Sequence, residues 1–162
     1  MKKYSIRPYQ ESDYELWNTF VSAAKNATFL FHRDFMEYHK ERFEDFSLLV
    51  FDKVKLVAVL PANRVDNKVY SHQGLTYGGL VYASKLKIEK IEVILDLLFD
   101  FFKSKRIEHF YLHPIPSFYL GQGNAAIDFF LMKRGAQLYR KEMNMVAHLH
   151  QEIPISKSKL KH

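Results

Sequence analysis

The stretch from Lys87 to Lys105 constrains the fold most. Ile88, Ile91, Ile94, Leu95, Leu98, Phe101 and Phe102 recur at three- and four-residue spacing, and Val93, Leu97 and Phe99 widen the stripe. This is the pattern of an amphipathic helix with one broad apolar face. Glu89, Lys90, Glu92, Asp96 and Asp100 interrupt the run, which makes it too charged to cross a membrane. Strand-forming segments lie on both sides of it in the chain, so the spacing predicts a helix laid against a sheet.

The rest of the chain supplies that sheet. Tyr4 to Tyr9 reads as a short strand ended by Pro8. Ser12-Asp13-Tyr14-Glu15 has the form of a capping box, and Leu16, Trp17, Phe20, Val21 and Ala24 follow at helical spacing, predicting a first helix from Asp13 to Lys25. A second amphipathic segment, His32 to Phe43, places Phe35, Tyr38, His39 and Arg42 along one side. Phe46–Phe51 and Leu56–Leu60, joined by Asp52-Lys53-Val54-Lys55, form a hairpin pattern. Pro61-Ala62-Asn63 interrupts the second strand, Asp66-Asn67 signals a turn, and Val69–His72 with Thr76–Tyr82 reads as the next strand in two pieces. Ile107–Leu112 is a further strand, Ala125–Arg134 a helix closed by Gly135, and Ala136–Leu149 a long final strand. The expected architecture is α/β (α+β), a mixed and mainly antiparallel sheet flanked by helices. One domain spans residues 1–150, and 151–162 forms a basic tail or linker.

Composition narrows the function. A chain of 162 residues with 48% hydrophobic and 15% aromatic content builds a packed core rather than a disordered chain. It contains no cysteine, which removes disulfides, thiolate zinc sites and cysteine nucleophiles and suits a reducing cytoplasm. No apolar h-region follows Met1-Lys2-Lys3, so the expected location is cytoplasmic, without membrane insertion. The formal charge of +6 raises nucleic acid as a partner, yet much of the excess sits at Lys2, Lys3, Lys157, Lys159 and Lys161, as in a solvated tail.

The candidate site lies in Ser71-His72-Gln73-Gly74-Leu75-Thr76-Tyr77-Gly78-Gly79-Leu80. Glycine inside a strand marks a bulge or a close approach of ligand or backbone, and here Gly74, Gly78 and Gly79 stand beside polar side chains. His72 and Tyr77 are the catalytic candidates: an imidazole can take a proton from an attacking ammonium, and a phenol can donate to a leaving group or oxyanion. The same two residues also fit a strand-end histidine bonded to backbone and a packed aromatic, and the glycines beside them tilt the pair toward ligand binding. His32 and Arg33, at the expected start of the second helix, are candidates for a carboxylate or phosphate group of a substrate, and Tyr119 for closing over it. No metal is expected, since neither His32/His39 nor His148/His150 has a supporting carboxylate pattern or a third ligand. Gly121-Gln122-Gly123-Asn124 reads as a loop, and no Gly-x-Ser-x-Gly elbow points to a hydrolase.

The order of elements, with a glycine-broken fourth strand leading into the long helix, resembles the GNAT superfamily of N-acyltransferases. More narrowly, Phe29-Leu30-Phe31-His32-Arg33, Arg42-Phe43-Glu44-Asp45-Phe46-Ser47, Leu60-Pro61-Ala62-Asn63, the glycine-rich strand and Pro116-Ser117-Phe118-Tyr119 resemble the N-terminal half of Fem-like two-domain GNAT proteins. The resemblance implies acyl or aminoacyl transfer to a small-molecule amine acceptor, with acyl-CoA or aminoacyl-tRNA as donor and a role in the cell envelope. It also implies a second half, supplied by a homodimer partner or another chain. A catalytically silent GNAT-like binding module is the alternative. Acyl-CoA users in that superfamily hold the pyrophosphate on an Arg/Gln-x-x-Gly-x-Gly/Ala turn at a helix N-terminus. The corresponding turn here, Ala83-Ser84-Lys85-Leu86-Lys87-Ile88, has no glycine, so the motif is absent.

Overall fold

Runs of large apolar residues at Leu48–Val50 and Leu56–Leu60 form the centre of the sheet in the computed structural model, which describes residues 4–120 and 125–141. The strands are β1 (Tyr4–Pro8), β2 (Glu44–Asp45), β3 (Leu48–Asp52), β4 (Lys55–Leu60), β5 (Asn63–Val65), β6 (Lys68–Tyr70), β7 (Val81–Tyr82) and β8 (His109–Tyr111). They form two four-stranded sheets, β1-β3-β4-β7 and β2-β5-β6-β8. The two are joined because β2 runs on into β3 and β4 into β5. Pro61 has no N–H to give the ladder, and Ser47 repairs the gap: its hydroxyl donates to the Ala62 carbonyl (3.3 Å) and accepts from the Ala62 N–H (3.2 Å). The strand pairs are antiparallel except β6–β8, which is parallel.

A bulge at Val57 sets which side chains go where. Val50 pairs with Ala58 and Phe51 with Leu56, leaving Val57 as the extra residue. Val57 and Ala58 therefore both join the core under the long helix α3 (Ile88–Ser104), while Leu56 and Val59 join the core on the other side. Ile91, Ile94, Leu95, Leu98 and Phe102 of α3 are buried against Leu48, Val50, Leu60 and Val69. Ile88 and Val93, at the margins of the expected stripe, stay exposed. Helix α4 (Ala125–Lys133) adds Ile127 and Phe130 to this core, and Arg134 pairs with Asp96 at 2.6 Å. Gly135 ends α4 at φ +81°, with N–H bonds from Gly135 to Met132 (2.9 Å) and from Ala136 to Leu131 (3.0 Å), the left-handed cap the sequence predicted. The opposite face is covered by Trp17 and Val21 of α1 (Tyr14–Ala23) and by Leu30 and Phe31 of a 3-10 turn.

Several expectations are corrected. The first helix begins with a 3-10 turn at Glu11–Asp13, and the Gln10 N–H is received by the Asp13 carboxylate (3.0 Å) rather than by a Ser12/Glu15 box. Arg7 fixes that carboxylate with contacts of 2.5 and 2.6 Å. The segment His32–Phe43 is a four-residue helix, α2 (Arg33–Met36), followed by 3-10 turns over Glu37–Arg42. It buries Arg33 and Met36 and leaves Phe35 and Tyr38 outside, the reverse of the expected face, because Arg33 stacks on the rings of half-buried Tyr9 and buried Trp17. The broken strand is shorter than its sequence suggests, since residues 71–80 leave the ladder altogether apart from one bridge at Gly78. Residues 136–141 are not a strand. The remainder of that expected strand, the 151–162 tail, the Gly121–Asn124 loop, His148 and His150 lie outside the described residues. Among the described residues no helix is long and apolar enough to cross a membrane.

Candidate functional site

Residues 71–78 leave one strand line and return to it. The Ser71 N–H donates to the Tyr111 carbonyl (2.9 Å), the His113 N–H to the Ser71 hydroxyl (2.9 Å), and the Gly78 N–H to the His113 carbonyl (2.7 Å), beside a parallel bridge to Pro114. The two ends of the excursion meet so closely that a Cβ at Gly78 would lie 1.8 Å from the Ser71 carbonyl oxygen. Gly78 is thus required by the approach of the chain to itself, and Gly79 by its φ of +116°. A Cβ at Gly74 would stand 2.7 Å from the Phe43 ring. His72, buried and at φ +73°, packs its ring on Phe43 at 5.5 Å, and its Nδ1 accepts the Gly74 N–H at 3.3 Å. Asn63 pins the tip, exchanging bonds of 2.8 and 2.7 Å with Gln73.

Among the described residues, the Gly78–Pro114 bridge is the last pairing between this strand line and the chain after β8. The outer edge of β7 is met by a side chain instead of a strand: Asn26, almost fully buried, donates to the Leu80 carbonyl (2.8 Å) and accepts from the Tyr82 N–H (3.0 Å). Beside this edge stands an aromatic wall. The Tyr77 hydroxyl donates to Thr28 Oγ1 at 3.2 Å, and its buried ring meets Phe31 edge-on at 6.0 Å and Tyr119 at 5.3 Å. Phe118 lies 4.5 Å from Tyr119, and these last two rings are 50% and 56% exposed. Phe29, on the same 3-10 turn as Phe31, is 68% exposed. Tyr77 and Tyr119 were both named from sequence. Phe118 was quoted there only within a family stretch, while Thr28 and Asn26 carry no local signal, since Asn26 bonds residues 54 and 56 positions away.

Arg33 stands behind this wall. It is 1% exposed, its Cζ lies 3.3 Å from the Tyr9 ring centroid and 4.2 Å from that of Trp17, and its Nη1 donates to Asp45 at 2.6 Å. Trp17 in turn donates to the Phe31 carbonyl (2.8 Å), so packed core separates Arg33 from Tyr77. Arg33 Nε and Nη2 and the Tyr9 hydroxyl are buried with no hydrogen-bond partner among the described residues. Burial pushes the Tyr9 hydroxyl up, with the Arg33 charge opposing. His32 precedes α2 and its carbonyl accepts the N–H groups of Phe35 and Met36. Asp34 receives the hydroxyl of Tyr14 and the amide of Asn18, and the Tyr14 bond holds its carboxyl below the usual range.

The turn from β7 to α3 is built without glycine. The Leu86 N–H donates to the Ala83 carbonyl (2.8 Å) and the Lys90 N–H to that of Lys87 (2.9 Å), and no side chain caps the helix. Among the described residues no group of three or more His, Asp or Glu side chains is placed to hold a metal ion.

No family model and no curated protein matches the sequence. Solved structures match its fold. The ribosomal-protein-S18-alanine N-acetyltransferase from Escherichia coli aligns with a TM-score of 0.59 at 14% identity, over 82% of this chain and 76% of that one. An aminoglycoside 6'-N-acetyltransferase from Acinetobacter haemolyticus aligns at 0.53 and 13% identity, over 90% and 99%. The fold is that of the GNAT acetyltransferases. A transcriptional regulator from Bacillus halodurans aligns at 0.51 and 12% identity, over 89% and 99%, so the GNAT-like fold also carries proteins named for other work.

Proposed function

We propose that this chain is a GNAT-type N-acyltransferase whose amine acceptor binds against Phe118 and Tyr119, with Thr28, Phe31 and Tyr77 packed behind them. The observation that carries the reading is the half-exposed Phe118–Tyr119 pair resting on buried Tyr77, on a fold shared with N-acetyltransferases. In this reading Tyr119 faces the acceptor with buried Tyr77 behind it, and Gly78 and Gly79 let the excursion close on itself beside the wall. His72 takes the ammonium proton only when its ring leaves Phe43 and the Gly74 N–H, while Arg33 and His32 hold the α2 corner and so the wall in place.

The donor is more in keeping with aminoacyl-tRNA than with acyl-CoA. The turn 83–87 lacks the glycine cradle for a pyrophosphate, and the outer edge of β7 is already satisfied by Asn26. The finer identity we propose is the N-terminal half of a Fem-like acyltransferase acting in the cell envelope, supported by the sequence stretches quoted above. Exposed Phe129 and Met132, three residues apart on α4, offer apolar surface to a second half or a second copy. The test is transfer itself: the chain, with acetyl-CoA or aminoacyl-tRNA and a panel of amines, is assayed by mass spectrometry for an acylated amine. Product with any donor and amine upholds the reading. No product from any combination, with or without a co-expressed second half, rejects it in favour of the silent binding module.

A further inference from the structure

We infer that the acceptor is an amine carried on a single aromatic or branched apolar body, and not a polycation; this rests on the transferase reading of the same site. The three segments that meet at the wall, residues 24–32, 71–80 and 112–120, contain no aspartate or glutamate. Asp34, the next carboxylate beyond Phe31 and His32 in the chain, is held by Tyr14 and Asn18. A polyamine or aminoglycoside needs several carboxylates to replace the water around its charges, and taking such charges into an uncompensated site is costly. One ammonium is different, because an aromatic face attracts it without a counter-ion.

The same absence serves the chemistry. Acyl transfer needs the free amine, and a site with no carboxylate holds the ammonium form less firmly than a carboxylate-lined one, so the neutral amine is reached more easily. The amine nitrogen then attacks the acyl carbonyl, its second proton leaves to solvent or a nearby base, and the donor's oxygen or sulfur departs with the electron pair. Phe118 and Tyr119, half exposed and in contact with each other, with Tyr119 also resting on Tyr77, supply the stacking surface for the body of the acceptor.

The experiment titrates the full chain with 2-phenylethylamine and with spermidine by calorimetry, and repeats the transfer assay with both. The expected result is that phenylethylamine binds at least about tenfold tighter than spermidine, and that Tyr119→Ala, an exposed and removable ring, weakens it by about tenfold at unchanged melting temperature. Val54→Ser, on the exposed hairpin turn, is expected to change nothing. Equal or tighter spermidine binding overturns the inference, as does an unchanged affinity in Tyr119→Ala or no binding of either amine. The two readings fail separately. Transfer to spermidine but not phenylethylamine sinks this inference and keeps the transferase, whereas ring-dependent phenylethylamine binding without transfer from any donor keeps the site and sinks the transferase.

Discussion

Helix α3 and the 71–80 excursion lie on either side of the same strand, β7, and they owe their shape to opposite causes. Helix α3 is specified locally: an apolar stripe repeats every three to four residues and one face is buried from Ile91 to Phe102. The excursion is specified by what it returns to. Ser71, Gly78 and Asn63 close it through partners that are 7 to 42 positions away. A helix of the first kind loses stability in proportion to the side chain removed, while a loop of the second kind fails when one atom is added.

The sharpest way to break that comparison is to damage each region once. Leu98→Ala in α3 removes a fully buried side chain from the larger core and is expected to cost about 2–5 kcal/mol by denaturant unfolding. Gly78→Ala adds one methyl group where a backbone oxygen already stands at 1.8 Å, and is expected to cost roughly 3 kcal/mol, at or above the upper end for overpacking. A loss under about 1 kcal/mol for Gly78→Ala would mean that the excursion opens easily and is not held by its ends.

Asn26→Ala sharpens the contrast at the outer edge of β7. It leaves the Leu80 carbonyl and the Tyr82 N–H without the side chain that satisfies both, at a cost of about 1–3 kcal/mol if the edge stays buried. Hydrogen exchange at Tyr82 checks it directly: exchange should accelerate in the variant, and unchanged protection would show that another group fills the edge. Gly135→Ala is the mild counterpart. With φ at +81° and nothing within 4 Å of the added Cβ, only the left-handed conformation is penalised, at about 1 kcal/mol.

Legibility in the sequence follows the same division. The long helix, the β3–β4 hairpin and the Gly135 cap were readable because their signals sit within one or two turns of chain. The α2 segment was misread because its helical spacing is real but its burial is decided by Tyr9 and Trp17, which stack on Arg33 from distant parts of the chain. At the candidate site, His72, Tyr77 and the glycines marked the segment that leaves the ladder, since polar groups and glycine in an apolar strand break its pattern. Their individual jobs were not readable. That Gly78 yields to Ser71, that Tyr77 reaches Thr28, and that Asn26 stands in for a strand are facts of closure, invisible to any window of local sequence.

The smallest expected effect tests whether a local cap behaves differently from those closures. The Asp13 carboxylate accepts two bonds from Arg7 and one from the Gln10 N–H, and the Arg7 bond holds it below the ordinary carboxylate range. A carboxyl whose pKa is depressed by folding contributes stability above its unfolded value, near 3.9, and loses it as pH falls from there through the folded value. Asp13→Asn removes that titration while keeping the shape. The stability gap between wild type and Asp13→Asn should therefore be constant from about pH 5 to 7 and shrink steadily below about pH 4. Arg7 is partly exposed, so added salt should narrow the gap as well. A gap that stays unchanged down to about pH 2 would show that the pair contributes through packing of the 3-10 turn and not through charge, which would place this cap with the long-range closures rather than with the locally written elements.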